Sequence, residues 1–320
     1  MGSSSQKIDS LAKPASADLK SERLLSHTVI LASSEVALGS IVHGFKIPFG
    51  GHFLSLNQGL ILGFAIRGLK SRRDAIRTVH EISLTSAALK ALSPMGNRLG
   101  PMLAISMQGV LYSLGVLLLG VSVLGMLLGM TLLALWGVFQ PLAVAWIIFG
   151  KPFFDGLLKL WNEISALFGI SESVLWPVLL AFLGAKVFLG WIVAWISWRG
   201  GETLERRYLE RLQSAVNKSG LTAIGAKKED ENRSTFQQVI RDLLNPWFLG
   251  GIAVSIGFFI GTGEHGAPEI ALYGLRIFGV AMLLFWAVRA VRRSWLERIF
   301  GRFPGLLARV DQVRKLFPPQ

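Results

Sequence analysis

The sequence predicts an all-α integral membrane protein, a polytopic helical bundle. Of its 320 residues, 52% are hydrophobic and only 17% are charged, whereas soluble domains carry about 25% charged residues. The mean hydropathy is +0.50. Apolar segments of roughly 20 residues recur along the chain, and this is the length a helix needs to cross the hydrocarbon core.

Seven segments are predicted as spans from length and hydropathy, at 28–45, 53–69, 101–122, 126–149, 174–198, 247–263 and 270–288. An eighth segment, 75–93, carries ionisable side chains, and hydropathy alone would place it at the surface. These side chains are Arg77, His80, Glu81 and Lys90.

The distribution of basic residues indicates whether 75–93 crosses the membrane. Lys and Arg collect before residue 28, at 67–73, in 199–241 and after 289, and such loops are cytoplasmic in membrane proteins. All four regions lie on one side only if an even number of spans separates 67–73 from 199–241. The sequence therefore predicts that 75–93 also crosses and that both termini are cytoplasmic, in a bacterial-type inner membrane.

The predicted topology divides the chain into five parts. They are a polar cytoplasmic tail (1–27), a six-span unit (28–198), a charged cytoplasmic insert (199–246), a two-span hairpin (247–288) and a basic cytoplasmic tail (289–320). In the insert, Leu204, Tyr208 and Leu212 recur at helical spacing, which predicts an amphipathic helix. The last part also reads as a basic amphipathic helix, a pattern that binds anionic lipids.

Composition excludes several classes of site. The chain has no cysteine, so it has no disulfide, thiolate zinc site, iron–sulfur cluster or cysteine nucleophile. The net charge is +13, but the basic residues lie between apolar segments, and binding to nucleic acid is therefore not expected. No phosphate-binding loop is present, and no cofactor is predicted.

The densest polar chemistry lies in two connections and the spans beside them. Pro48 is followed by Gly50 and Gly51, so the backbone must turn and expose polar groups there. The stretch 93–101 is similarly rich in turn formers. A ligand contact and a plain turn are both compatible with this pattern. The candidate substrate-binding residues are His43, Lys46, His52, Asn57, Gln58, Asn97, Arg98 and Gln108.

Glu35 is a carboxylate inside a predicted span, where charge is costly and usually marks a partner or a functional site. Arg77 and Glu81 form an i, i+4 pair that can neutralise itself. The alternative places them with His80 and Glu35 in one intramembrane polar network. We expect Glu35 to contact Arg77 or His80.

The string from Gly39 through Ile47-Pro48-Phe49-Gly50-Gly51-His52 to Gln58, in a six-span unit, resembles the S components of energy-coupling factor (ECF) vitamin transporters. The resemblance covers residues 28–198 and leaves the last 120 without a counterpart. It implies a substrate site for a vitamin-like nutrient at the outer face, roofed by the loops after the first and third spans. It also implies a transmembrane coupling subunit with ATPases as partner, docked through small residues of the first span, here Ser33 and Ala37.

Two other classes of function stay open. A membrane enzyme or a metal-binding permease could use His43, His52, His80 and Glu35, because histidine with a carboxylate suffices for acid–base work or metal binding. A structural or assembly subunit would use the charged cytoplasmic helices, with the spans as an anchor. The sequence favours a non-enzymatic transport protein that binds a small polar or anionic nutrient, with membrane lipids as further partners.

Overall fold

The structure is a computed structural model that describes residues 23–35, 50–92, 99–218, 234–263 and 266–290, with 298, 308 and 310–312. Within these ranges the chain is helical and forms no strand. The helices are α1 (23–35), α2 (Gly50–Ile66), α3 (Arg72–Leu92), α4 (Leu99–Leu119), α5 (Val123–Phe149), α6 (Lys151–Phe168), α7 (Leu175–Arg199), α8 (Gly201–Lys218), α9 (Thr235–Leu243), α10 (Pro246–Thr262) and α11 (Ala267–Ala290).

Four of the described helices are long and apolar enough to cross a membrane: α4, α5, α7 and α11. The pair α9 and α10 is bent by 51° and passes the same test as one broken span. Helix α2 is apolar but has only 17 residues. The chain is therefore a multi-pass, all-helical membrane protein, and the crossing of α3 stays a prediction.

The first helical unit contains α1–α5 and α7. Helix α3 packs along α4, α4 along α5, and α5 along α7, while α2 lies against α5 and α7. We call the end with residues 36–49 and 93–98 the long-connection end. The opposite, short-turn end holds the turns after Ile66 and Leu119. The core of this unit includes Ile61, Leu62, Tyr112, Met126 and Met130, all fully buried.

A close backbone approach joins α4 to α5. A methyl group built on Gly115 would lie 2.3 Å from the nitrogen of Gly129 and 2.5 Å from the carbonyl oxygen of Gly125. Only glycine fits such a crossing. Gly120 makes the turn between the two helices with φ +77°, and Ser122 then caps α5 by accepting a hydrogen bond from the Gly125 amide at 3.1 Å.

A second, aromatic cluster joins the end of α5 to α6 and α9–α11. Phe149 stacks on Phe153 with ring centroids 5.0 Å apart and also contacts Phe248 of α10. Val239 of α9 and Ile277 of α11 are buried in the same cluster. Helix α6 packs on α10, and a short 3-10 turn at Glu172–Val174 follows it.

Candidate functional site

Buried polar side chains follow the interfaces of α1–α4 toward the long-connection end, and we call this group the polar strip. Asn57 Nδ2 donates a hydrogen bond to Ser34 Oγ at 2.8 Å. Gln58 Nε2 donates to the Ile105 carbonyl at 3.0 Å and to Ser83 Oγ at 3.4 Å. The strip consists of the half-buried Lys90 and of seven buried residues, Ser34, Glu35, Asn57, Gln58, Ser83, Ser86 and Gln108.

The hydrogen bonding of this region is incomplete. In the described part of the chain, Gln58 Oε1, Thr85 Oγ1 and the Tyr112 hydroxyl are buried without a partner. Gln108 is 7% exposed and lies one turn along α4 from Ile105. An unsatisfied buried polar group costs about 1–3 kcal/mol, so such groups usually meet water or a ligand.

Glu35 lies beside Lys90, which corrects the prediction of Arg77 or His80 as its partner. Lys90 Nζ donates to the Glu35 backbone carbonyl at 3.1 Å. Arg77 instead pairs with Glu81 at 2.7 Å on the outer side of α3, where the Arg77 side chain is 73% exposed. His80 Nε2 lies 3.0 Å from Ser113 Oγ of α4.

The physical reason is the helical phase and length of α3. Arg77 lies near the beginning of this 21-residue helix, whereas Lys90 lies in its last turn, at the long-connection end where the described part of α1 also ends. The i, i+4 pair therefore neutralises itself, the first of the two arrangements that the sequence allowed.

A second polar contact lies where α2, α5 and α7 meet. Lys186 Nζ of α7 lies 2.9 Å from His52 Nε2 in the first turn of α2. Gly137 of α5 faces both, since a methyl group built on it would lie 3.0 Å from His52 Nδ1 and 3.9 Å from Lys186 Nζ. Lys186 also lies over the Phe182 ring, 5.3 Å from its centroid. Sequence reasoning selected His52 but not Lys186.

The short-turn end holds a buried carboxylate surrounded by basic groups, which we call the Glu205 junction. Glu205 of α8 is 7% exposed. Its carboxylate lies 3.0 Å from Arg23 Nη2, 2.9 Å from Arg67 Nη2 and 3.0 Å from His27 Nε2. Arg67 also donates to the Ser197 carbonyl at 3.3 Å. The junction thereby fastens α8 to α1, α2 and α7.

The charge state of the junction follows from its contacts. Burial raises the pKa of the Glu205 carboxyl, but the His27 contact and the guanidinium groups of Arg23 and Arg67 outweigh it and hold the pKa below its usual range. His27 Nδ1 lies 2.7 Å from the Arg23 carbonyl. Both ring nitrogens of His27 thus lie within 3.0 Å of an oxygen atom.

Helix α8 connects the Glu205 junction to the polar strip. The Tyr208 hydroxyl donates to Asn57 Oδ1, and the Tyr208 ring lies 6.0 Å from that of Phe64. The inward face of α8 carries Glu205 and Tyr208, whereas Leu204 is 40% exposed. Tyr208 and Leu212 of the predicted face pack against the core of the first unit, whereas Glu205 rather than Leu204 faces inward at the beginning of α8.

Several predicted site residues cannot be compared with the structure. His43, Lys46, Ala37, Asn97 and Arg98 lie outside the described residues. Ser33 is described, and its hydroxyl donates to the Val29 carbonyl at 2.6 Å within α1. The structure thus brings Asn57 and Gln58 together with residues that the sequence did not select, chiefly Ser34 and Ser83.

No group of three His, Asp or Glu side chains able to hold a metal ion occurs in the part of the chain that the structure describes. In comparisons with known proteins, no family model matches the chain, and neither a curated protein nor a solved structure is detectably similar. The interpretation of function therefore depends on the residues themselves.

Proposed function

We propose that the chain is a membrane transport protein that binds a small polar nutrient among α1–α4 and reaches it from the long-connection end. The observation that carries this proposal is the polar strip, above all the fully buried Gln58, whose Oε1 has no partner among the described residues. Polar groups at membrane depth are costly and typically mark a substrate route. A bound solute that donates a hydrogen bond would satisfy Gln58.

The position of the strip supports the same proposal. It reaches Glu35 and Lys90 at the end where residues 36–49 and 93–98 join the helices. These connections carry the Pro and Gly residues and the resemblance to S components of ECF transporters. In this proposal the solute enters from the outer face, with α3 as a true span and both termini in the cytoplasm.

A second candidate function, an assembly subunit, is favoured by the outward face of α8. Arg206, Arg207 and Arg211 are exposed there while Glu205 holds the helix in place. Glu210 pairs with Arg206 on this face, and Arg207 and Arg211 remain to bind an acidic face of a cytoplasmic or coupling subunit. The two functions are compatible, because a transport protein driven by ATPases needs such a contact.

Solute binding is tested on the intact chain in lipid nanodiscs. Small molecules that co-purify are extracted and identified by mass spectrometry, and retention is then measured for a panel of neutral and charged micronutrients. Gln58→Leu is expected to weaken binding of the retained solute by at least about tenfold, equal to about 1.4 kcal/mol. Gln140→Leu, on α5, is the matched control and should bind as the unmodified chain does.

Two outcomes contradict this function. One is that no small molecule is retained by a chain that elutes as a folded species. The other is that Gln58→Leu and Gln140→Leu bind alike. The proposed topology has its own test in intact cells, where an impermeant thiol reagent should label a cysteine placed at Asn97 but not one placed at Lys227.

A further inference from the structure

The contact between Lys186 and His52 brings two basic groups together without an acidic one. Lys186 stands near the middle of α7, a 25-residue apolar helix, and Gly137 stands near the middle of the 27-residue α5. None of α2, α5 and α7 contains Asp or Glu. Lys186 forms no ion pair with any residue that the structure describes. An ammonium group at such a position is costly unless a negative charge accompanies it.

The geometry fixes how the protons are arranged. Lys186 carries only donors, so it donates to His52 Nε2 at 2.9 Å, and the proton of the neutral imidazole is then on Nδ1. This contact uses one of the three N–H groups of the ammonium. The other two have no hydrogen-bond acceptor among the described residues, and they are suited to one small oxyanion.

The neighbouring sequence adds positive charge and no negative charge. Residues 36–49 and 93–98, which connect the helices at this end, contain no Asp or Glu, whereas they contain His43, Lys46 and Arg98. Glu35 is the acidic residue of the polar strip, and Lys90 already accompanies it. No carboxylate of the chain is therefore placed to accompany Lys186 in the described structure.

We infer that Lys186, oriented by His52, binds the carboxylate of the transported solute, which places the substrate in the class of small organic monoacids. This inference rests on the proposed function, extends its site along α2 from Gln58 to the interface of α2, α5 and α7, and specifies its substrate. One ammonium beside a neutral imidazole compensates one negative charge, which favours a carboxylate over a phosphate dianion. The contact between Lys186 and His52 requires glycine at position 137, because a methyl group there would lie only 3.0 Å from His52 Nδ1.

The test uses matched pairs of probes that differ only in charge. Intact protein in nanodiscs is titrated with small aromatic and aliphatic carboxylates, with their amides and with phosphate monoesters of similar size, and binding is followed by calorimetry and by the unfolding temperature. At least one carboxylate is expected to bind tenfold or more tighter than its amide. Lys186→Met should remove this preference, and Lys186→Arg should retain most of it. Lys151→Met, on the exposed side of α6, is the control.

The outcomes separate this inference from the proposed function. If amides bind as tightly as carboxylates, or if Lys186→Met keeps the preference for carboxylates, the inference is overturned while solute binding stands. Tighter binding of phosphate monoesters overturns the assignment to carboxylates. If no compound of any charge binds, both the inference and the proposed function fail. The folded fraction of each variant is measured by size exclusion. If Lys186→Met does not fold, the preference for carboxylates over amides is measured with Lys186→Arg, and loss of the preference there overturns the inference.

Discussion

The two clusters of this protein are built from different side chains. The unit of α1–α5 and α7 surrounds buried amides, hydroxyls and charges with aliphatic residues. The cluster around Phe149 is aromatic, and its buried members Val239, Leu243, Phe248 and Ile277 are all apolar. An apolar cluster at membrane depth needs no compensation, whereas a polar one does. The contrast supports the proposal that the solute binds in the first unit rather than in the second.

The ion pairs of the two regions differ in the same way. Glu205 is nearly buried and meets three basic groups. Asp242 of the second region forms a bidentate ion pair with Arg289 of α11, with N···O distances of 3.0 and 3.1 Å. The Arg289 side chain is 19% exposed and the Asp242 side chain is 29% exposed. Removal of a partner should therefore cost far more at Glu205.

The largest expected effect is that of Glu205→Gln. It leaves Arg67 without a counter-ion in a largely buried position, and we expect a loss of about 3 kcal/mol in the free energy of unfolding. Asp242→Asn should cost about 1 kcal/mol or less, because solvent reaches that pair. Denaturant unfolding of the full chain in micelles, followed by tryptophan fluorescence, measures both. Equal losses would remove the contrast between the regions.

The crossing of α4 and α5 offers the next test. Gly115→Ala forces a methyl group against the backbone of Gly125 and Gly129, and we expect a loss of about 2 kcal/mol. Gly257→Ala, in α10 of the second region, meets nothing within 4 Å and should gain up to about 1 kcal/mol from helix propensity. The same denaturant unfolding measures the stability of both variants. A Gly115→Ala protein as stable as the unmodified chain would show that this approach is not tight.

The half-buried Tyr273 and the fully buried Tyr112 also differ between the two regions. The Tyr273 hydroxyl donates to the Phe149 carbonyl in the aromatic cluster, so Tyr273→Phe should cost about 1 kcal/mol. The Tyr112 hydroxyl is buried in the first unit without a partner among the described residues, so Tyr112→Phe should cost nothing and can stabilise. A large loss in Tyr112→Phe would mean that water or a solute binds its hydroxyl.

The smallest expected effect is that of mild acid on the Glu205 junction. The pKa of Glu205 is lowered in the folded protein, so its contribution is full above the ordinary glutamate pKa of about 4.3 and is lost as the pH falls through the lower folded value.

The difference in stability between the unmodified chain and Glu205→Gln should therefore stay nearly constant from pH 7 to pH 5. It should shrink below about pH 4.3. Unfolding curves recorded across this pH range test whether the difference in stability decreases as the pH falls. A difference that shrinks already near pH 6 would contradict the assignment of the effect to the carboxylate.

Local hydropathy patterns predicted the positions of the helices well. Contacts between helices that are distant in the sequence could not be predicted in this way. Hydropathy placed α4, α5, α7 and α11 within a few residues. Asn57 and Gln58 were selected because they are polar within an apolar segment. The predicted partner of Glu35 was wrong because several residues of α3 are ionisable. The rotation of α3 about its axis decides which of them faces inward, and the sequence does not give that rotation.

The Glu205 junction was missed for a related reason. Glu205 is one of several charged residues on an amphipathic helix, and its partners Arg23 and Arg67 lie 182 and 138 positions away. No period within α8 distinguishes it from Glu202 or Glu210. Only the packed structure shows which acid is buried, and the same holds for Lys186 beside His52.

The separation of Glu205 from its partners also sets an order of assembly. Residue 205 is synthesised 138 positions after Arg67, which corresponds to roughly 7–28 s of translation at about 5–20 residues per second. During that interval the ends of α1 and α2 present uncompensated positive charge, the feature that retains a segment on the cytoplasmic side. The carboxylate arrives after α7 is complete. Formation of the contacts of Glu205 is then a late step, which follows insertion of the helices and completes their packing.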